Sequence, residues 1–295
     1  VANARLLREG PFRRLWVQPA AGDAGGALGA ALAFHHLHHR KLRAANETHD
    51  AMHGSFLGPS YSDADIAAAL TAYGLTAEPL ATDARLGRLA GLLASGEVIG
   101  FFQGRAEFGP RALGARSILA DARSPEMQRR LNLKIKHRES FRPFAPIVLA
   151  ERAAEWFDLD VPSPYMLLTA PVRNAARAPG PASPRWEDRV HQIRSAIPAV
   201  THVDGSARVQ TVDRHENPAL HAVLSAFAER TGCPVLVNTS FNVRGEPPVC
   251  HPREALEGFL ATDMDALAIG SFVLEKKQLP AALVRARPAR VFAPD

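Results

Sequence analysis

Arg105, Arg111, Arg116, Arg123, Arg129, Arg130, Lys134, Lys136, Arg138 and Arg142 crowd one stretch, GRAEFGPRALGARSILADARSPEMQRRLNLKIKHRESFRPFAP, from Gly104 to Pro146. Several sit beside glycine or proline, in segments too broken for a plain helix. An arginine at a glycine-rich turn presents a planar, permanently charged fork to phosphate or carboxylate oxygens. Three basic or polar loops each follow an expected strand. Loop 103–116 offers Arg105, Arg111 and Arg116; loop 203–208 offers Arg208; loop 238–247 offers Asn238, Thr239, Ser240 and Asn242. Lys136 and Arg142 add charge from 134–144. Open α/β sheets place ligands at strand ends, and this inventory suits a polyanion. The plain alternative for each arginine is a surface or ion-paired residue, and for Ser240 a hydroxyl used in turn chemistry. There is no Ser-His-Asp arrangement, no cysteine nucleophile setting and no P-loop.

A second candidate lies upstream in QPAAGDAGGALGAAL, where a strand, a glycine turn and a helix follow one another. That layout points main-chain N–H groups at a ligand. Asp23 at its mouth is either an N-cap or a carboxylate linked to metal or phosphate. His35, His36, His38 and His39 lie farther along the same helix. His35 and His39 share a face, as metal ligands would. Beside Arg40, Lys41 and Arg43, the four read better as a positive, solvated end that complements the helix dipole.

These residues need a scaffold, and the pattern predicts one of α/β class. A strand is expected at Leu15–Val17 and a helix from about Gly25 to Ala44. Ser62, with Asp65 three residues on, opens a helix by a capping box, and another runs from Thr82 or Asp83 to Ser95. Glu97–Phe102 and Ser117–Asp121 read as strands on either side of the arginine loop. Pro125 opens a helix through Leu133, followed by a strand at Ala145–Ala150 and a short helix near 151–157. Residues 172–196, rich in proline and charge, read as an excursion. Paired strands are expected at Ala199–Val203 and Arg208–Val212, joined by Asp204-Gly205-Ser206. A helix from Pro218, a strand at Pro234–Asn238, a helix from Pro252 and closing strands over 266–275 complete the chain. Alternating strands and helices, with short antiparallel pairs, imply a mixed sheet.

The chain has 295 residues, 46% of them apolar, enough to bury a substantial core. Its net charge of +5 and pI near 9.6 are basic but modest, compatible with a nucleotide, a small phosphate or RNA. Cys233 and Cys250 are too few for a disulfide framework or a zinc site and read as free thiols in a reducing compartment. No run reaches the length of a membrane span and no signal peptide opens the chain, so a cytoplasmic protein is expected. The first residue is not Met and the opening reads like mid-domain sequence, as in the C-terminal part of something longer.

The motifs QPAAGDAGGALGAAL, GRAEFGPRALGARSILAD, KIKHRESFRPFAP, THVDGSARVQTV and LVNTSFNVRGEPPV, in this order, resemble the O-carbamoyltransferase family, which includes nodulation and antibiotic-tailoring carbamoyltransferases. The resemblance covers about residues 1–276. It implies the last strand–loop–helix of an actin-like (ASKHA) domain at 1–45, a connecting segment at 46–80, a YrdC-like twisted mixed sheet at 81–278 and a tail at 279–295. In this family the YrdC-like domain binds ATP and carbamoyl phosphate and makes a carbamoyl-adenylate, with release of pyrophosphate. The actin-like domain then passes the carbamoyl group to the hydroxyl of a small-molecule acceptor, at a metal site.

Carried over by position, the family's anion-binding residues match Arg111, Lys136, Arg142, Arg208 and Ser240, with Asn238 and Asn242 beside them. Of these, Lys136, Arg142 and Ser240 are the residues expected at the chemistry. Mg²⁺ is expected with ATP. Asp23 matches an aspartate that binds a divalent metal, iron or similar, but the family's upstream metal-binding histidines have no counterpart here. The expected partner is therefore the upstream actin-like domain, with no membrane. The competing reading is a non-catalytic YrdC-like module for nucleotide or RNA. Binders of single strands add aromatics for base stacking, and aromatics are only 7% here, which weighs against nucleic acid.

Overall fold

The computed structural model describes residues 1–12, 14–43, 51–173 and 192–285. At its centre is one eight-stranded mixed sheet, ordered β4-β5-β3-β6-β2-β1-β7-β8. The strands are β1 (Ile99–Phe102), β2 (Arg116–Asp121), β3 (Ala145–Leu149), β4 (Leu168–Pro171), β5 (Ser206–Val212), β6 (Val235–Ser240), β7 (Ala266–Ile269) and β8 (Phe272–Glu275). The β3–β5 and β1–β7 pairs are parallel and the others antiparallel. Residues of β1, β2, β3, β7 and β8 are buried throughout. Both faces of the sheet are therefore covered, which is why these strands read as continuous apolar runs.

Helix Thr82–Ala94 packs against helix Pro218–Thr231, which buries Leu220, Val223, Leu224 and Phe227 in the main core. That second helix begins at Pro218, its Asn217 side chain accepts the Leu220 N–H, and it stops at Gly232 with a left-handed φ of 77°. Proline at the start and glycine past the end follow from the unpaired N–H and C=O groups at helix termini. The Ser62–Asp65 capping box is present: Ser62 Oγ accepts the Asp65 N–H at 3.2 Å and Asp65 accepts the Ser62 N–H at 2.8 Å.

Side chains alternate between the faces of a strand. Asn238 pairs in register with Leu119 and Ala145, and Ile147 with Gln210. Arg208 and Gln210 on β5 therefore share a face with Asn238 and Ser240 on β6. A small cluster of Met52, Leu113, Ala145, Tyr165 and Met166 sits there, with Leu28, Phe56, Phe108 and Leu167 packed against it. Loop 103–116 and the upstream helix Asp23–Ala33 thus reach the polar side of the sheet.

Several expectations are corrected. Leu15–Val17 is not a strand: Trp16 is exposed and no ladder partner lies beside it. Ala199–Val203 is not a strand either, because Pro198, which has no N–H, opens a 3₁₀ turn over Pro198–Val200. The antiparallel partner of β5 is instead β4, a short edge strand ending in a proline, which the sequence pattern did not disclose. The helix opened at Pro125 is regular only over Met127–Arg130 and then widens to a π-turn at Leu131–Ile135. The upstream helix likewise turns to π geometry at Phe34–His38 after Ala33. Most of 172–196 lies outside the described residues, as does the tail beyond Arg285. No helix among the described residues is long and apolar enough to cross a membrane.

Candidate anion-binding site

The loop between β1 and β2 is built around the carboxylate of Glu107. Its Oε1 accepts the main-chain N–H groups of Leu113 and Ala115, each at 2.7 Å, and of Arg116 at 3.3 Å. The carbonyls of the same segment are held from the sheet. Gln210 Nε2 donates to Leu113 O at 2.7 Å, and Asn238 Nδ2 donates to Ala112 O at 3.1 Å and to Gln210 Oε1 at 2.8 Å. Gly114 has a φ of 105°, and a Cβ there would collide with Leu220. A side chain is excluded at that position by both backbone and packing.

Arg116, offered by the sequence as a ligand-facing arginine, has another job. It is 1% exposed and stacks on Phe102 with its guanidinium carbon 3.6 Å from the ring centre. Its Nη atoms donate to the carbonyls of Gln103, Ala115, Pro59 and Gly104. The residue ties the loop's end to its beginning. Burial lowers its pKa, and the negative charge of Glu107 works the other way. Arg105, half a loop away, is exposed and donates to Leu57 O.

Arg111 stands exposed beyond this pinned segment, two residues before Leu113. Across from it is Arg208, half-buried on β5. Burial first, and the like charge of Arg111 second, push the Arg208 guanidinium down to about 10. Among the described residues, neither guanidinium makes a hydrogen bond or an ion pair. Two arginines converging without a carboxylate form an uncompensated positive site, and an anion is the natural complement.

Lys136 lies at the far end of the π-turn and is 4% exposed. Its ammonium donates to Ser240 O, to Asn242 O at 3.0 Å and to Asn242 Oδ1 at 2.8 Å, with Ser240 Oγ at 3.3 Å. Burial, with Arg138 as a second cause, holds its pKa well below the ordinary lysine value. Four acceptor oxygens surround it, and one of them, Ser240 O, also accepts the Asn242 N–H at 3.0 Å. The Ser240 hydroxyl donates to Asn242 Oδ1 at 2.6 Å. Its proton is thus directed away from Lys136, and the pair is not arranged as a Ser–Lys nucleophile and base. Lys136 fixes the turn that follows β6.

Asn238 and Ser240 are two residues apart on β6, roughly 7 Å at the usual rise of a strand. One holds the Arg111 loop and the other meets Lys136, so β6 sets the spacing between the two. Asn238 is 2% exposed and its Oδ1 has no hydrogen-bond partner among the described residues. The adjoining loop 138–142 hangs on a buried amide, Asn132, which donates to Ser140 O and Arg142 O and accepts from Arg138 Nε. Arg142 is about half exposed, with Glu139 at 3.4 Å. Its charge and Arg138's own burial both lower the Arg138 pKa, burial being the larger cause.

Asp23 is exposed in the first turn of its helix. The described residues contain no group of three or more His, Cys, Asp or Glu able to hold a metal ion. His35, His38 and His39 are exposed and His36 is half-buried; His38 stacks on Phe34, and the pairs Phe34–His39, His35–His36 and His38–His39 meet edge to face. The residues present do not fit a metal centre at Asp23, and no chemistry is derived through one.

The sequence reading missed Glu107, Gln210 and Asn132. Each is a common surface type whose work is done through a buried contact with a distant main chain. Only the composition of their neighbourhoods, EFGPRALG and QTV, could have hinted at it.

Fold and site together define an α/β domain built on a mixed sheet, with cations carried on loops pinned to one of its faces. The family model described as Carbamoyltransferase C-terminus matches residues 90–276, and the one described as Carbamoyltransferase N-terminus matches residues 1–32. The chain belongs to the carbamoyltransferase family. It is 50% identical to the uncharacterized protein sll1178 of Synechocystis sp. over 95% of this chain and 46% of that protein. Nodulation protein NolNO of Sinorhizobium fredii is 42% identical over 93% of this chain and 38% of that protein. Nodulation protein NolO of Bradyrhizobium diazoefficiens is 41% identical over 95% of this chain and 48% of that protein. The chain thus spans less than half the length of these relatives. A solved structure described as full-length HypF in the phosphate- and nucleotide-bound form aligns with a TM-score of 0.40 and 16% identity, over 62% of this chain and 20% of that one.

Proposed function

We propose that this chain supplies the adenylate-forming half of an O-carbamoyltransferase, binding ATP and carbamoyl phosphate and making carbamoyl-adenylate. The observation that carries this reading is that Arg208 shares a sheet face with Gln210 and Asn238, which hold the carbonyls just after Arg111, and that neither arginine has a counter-ion among the described residues. In the proposed reaction, water cleaves carbamoyl phosphate, giving carbamate and inorganic phosphate, and an oxygen of the carbamate then forms a bond to the α-phosphorus of ATP. The bond from that phosphorus to the bridging oxygen breaks, and pyrophosphate leaves with the electron pair. Both reactants are anions, so the barrier falls when fixed cations hold them and offset the charge gathering on the phosphoryl oxygens. Arg111 and Arg208 hold one anion between them. Arg142, on its loop pinned by Asn132, holds a second phosphate. Lys136 keeps Ser240 and Asn242 in place and adds positive potential from below. Mg²⁺ enters with ATP as part of the substrate.

In the same reading the sheet is a YrdC-like domain, over about 81–278, and residues 1–45 are the end of an actin-like domain. Transfer to the acceptor hydroxyl, and any metal bound through Asp23, belong to the upstream domain. The experiment is pyrophosphate release by this chain from ATP, Mg²⁺ and carbamoyl phosphate, compared with Arg111→Ala and Arg208→Ala. Release that depends on both arginines supports the proposal. Well-folded protein that releases none, or that binds RNA with steep salt dependence and no turnover, overturns it.

A further inference from the structure

Arg111 and Arg208 repel one another until an anion arrives, so something other than their mutual contact must hold the Arg111 loop in place. The anchors from the sheet, Asn238 and Gln210, reach only the carbonyls of Ala112 and Leu113. On the N–H side of the same segment Leu113, Ala115 and Arg116 donate to one atom, Glu107 Oε1, while Gly114 donates to Ser117 Oγ. Neighbouring N–H groups that share one acceptor make a concavity of the kind that binds anions in many proteins. Here the concavity is filled from within by a carboxylate of the same loop. A substrate phosphate is therefore not seated on these amides, and recognition falls to the side chains. Glu107 is also the one carboxylate whose charge bears on buried Arg116, which closes the loop.

We propose that Glu107 is the positioning residue of the anion clamp: it acts as an internal anion that folds residues 111–116 so that Arg111 is held over the sheet face that carries Arg208. This rests on the reading of that pair as an anion clamp. Glu107 itself touches no substrate.

The test measures the affinity of the chain for inorganic pyrophosphate by calorimetry, in the wild type, Glu107→Ala, Glu107→Gln, Arg111→Ala and the Glu107→Ala/Arg111→Ala double variant. Urea unfolding of each confirms that the protein is folded. Glu107→Ala is expected to weaken binding by about tenfold or more, as coupled neighbours do. Glu107→Gln keeps an acceptor oxygen in place and is expected to stay within about threefold of the wild type. The double variant is expected to bind no more weakly than Arg111→Ala alone, because Glu107 works only through Arg111. If Glu107→Ala does not fold, Glu107→Asp, which withdraws the carboxylate by one methylene, takes its place in the same cycle. Wild-type affinity in the folded variant, or losses that add in the double variant, overturn the positioning role. Pyrophosphate bound by neither wild type nor any variant overturns the clamp itself, a separate result.

Discussion

Arg208 lies on the sheet face of Gln210, whose amide holds the carbonyl of Leu113 two residues after Arg111, and burial together with the like charge of Arg111 holds the Arg208 guanidinium down to about 10. Both arginine side chains are free of protein partners among the described residues, and one is half-buried. The arrangement is unfavourable when empty and becomes favourable when an anion with two or more oxygens sits between the forks.

Removing Arg111 relieves Arg208. In Arg111→Ala the Arg208 pKa is expected to rise from about 10 toward its ordinary value, read by titrating the guanidinium resonances. Burial remains, so the recovery is partial. The same substitution is expected to weaken carbamoyl phosphate binding by roughly 1.5–3 kcal/mol, the usual worth of hydrogen bonds to a charged group. An unmoved Arg208 resonance would place the two side chains apart.

Anion binding is expected to weaken as pH rises through about 10, because the charged form of Arg208 is the one that binds. A bound anion favours the charged form, so the complex releases its proton at higher pH than the free protein. Affinity measured from pH 8 to 11 tests this, and a flat profile would exclude Arg208 from the contact.

Lys136 governs stability more than charge at the surface. Lys136→Ala removes the donor to Asn242 O and one of the two donors to Ser240 O, which keeps the Asn242 N–H at 3.0 Å, and is expected to cost about 1–3 kcal/mol in urea unfolding. The sign of its pH dependence is fixed by the depressed pKa. Between the folded value and the ordinary lysine value the unfolded chain holds more protons, so this group makes stability rise with pH through that window. Lys136→Met is expected to flatten that rise, and an unchanged slope would show that the amine titrates normally.

Arg116 is expected to behave as part of the scaffold. Arg116→Lys keeps the charge but cannot reach four carbonyls from one plane or stack on Phe102. A loss of about 2–3 kcal/mol in stability is expected from the carbonyls left without donors in a buried site. In the folded fraction, pyrophosphate affinity is expected to change less than in Arg111→Ala. The reverse order would return Arg116 to the binding site.

Much of the scaffold was legible in the chain. The Ser62 capping box, the helix from Pro218 to the Thr231–Gly232 boundary and the strand containing Val235–Asn238 all carry local signals, because caps and apolar runs are written in neighbouring residues. β4 carries none. It is four residues long, ends in proline, and becomes a strand only because β5 offers it a free edge. Pro198 stands just before the strand expected at Ala199–Val203, and a 3₁₀ turn over Pro198–Val200 takes the place of its start.

The sequence by itself determined which cations were available and which of them lay in loops broken by glycine and proline. It also determined the order of motifs by which the family is recognised. Tertiary structure alone decided how those cations divide. Arg116 turned inward because a flat aromatic and four carbonyls surround it. Lys136 turned inward because the turn after β6 presents oxygens. Arg111 was left outward, facing Arg208 from nearly a hundred residues away. Local sequence specifies charge and chain direction, whereas the environment that buries, pairs or frees a charge is assembled from segments distant in the chain, and only their packing fixes it.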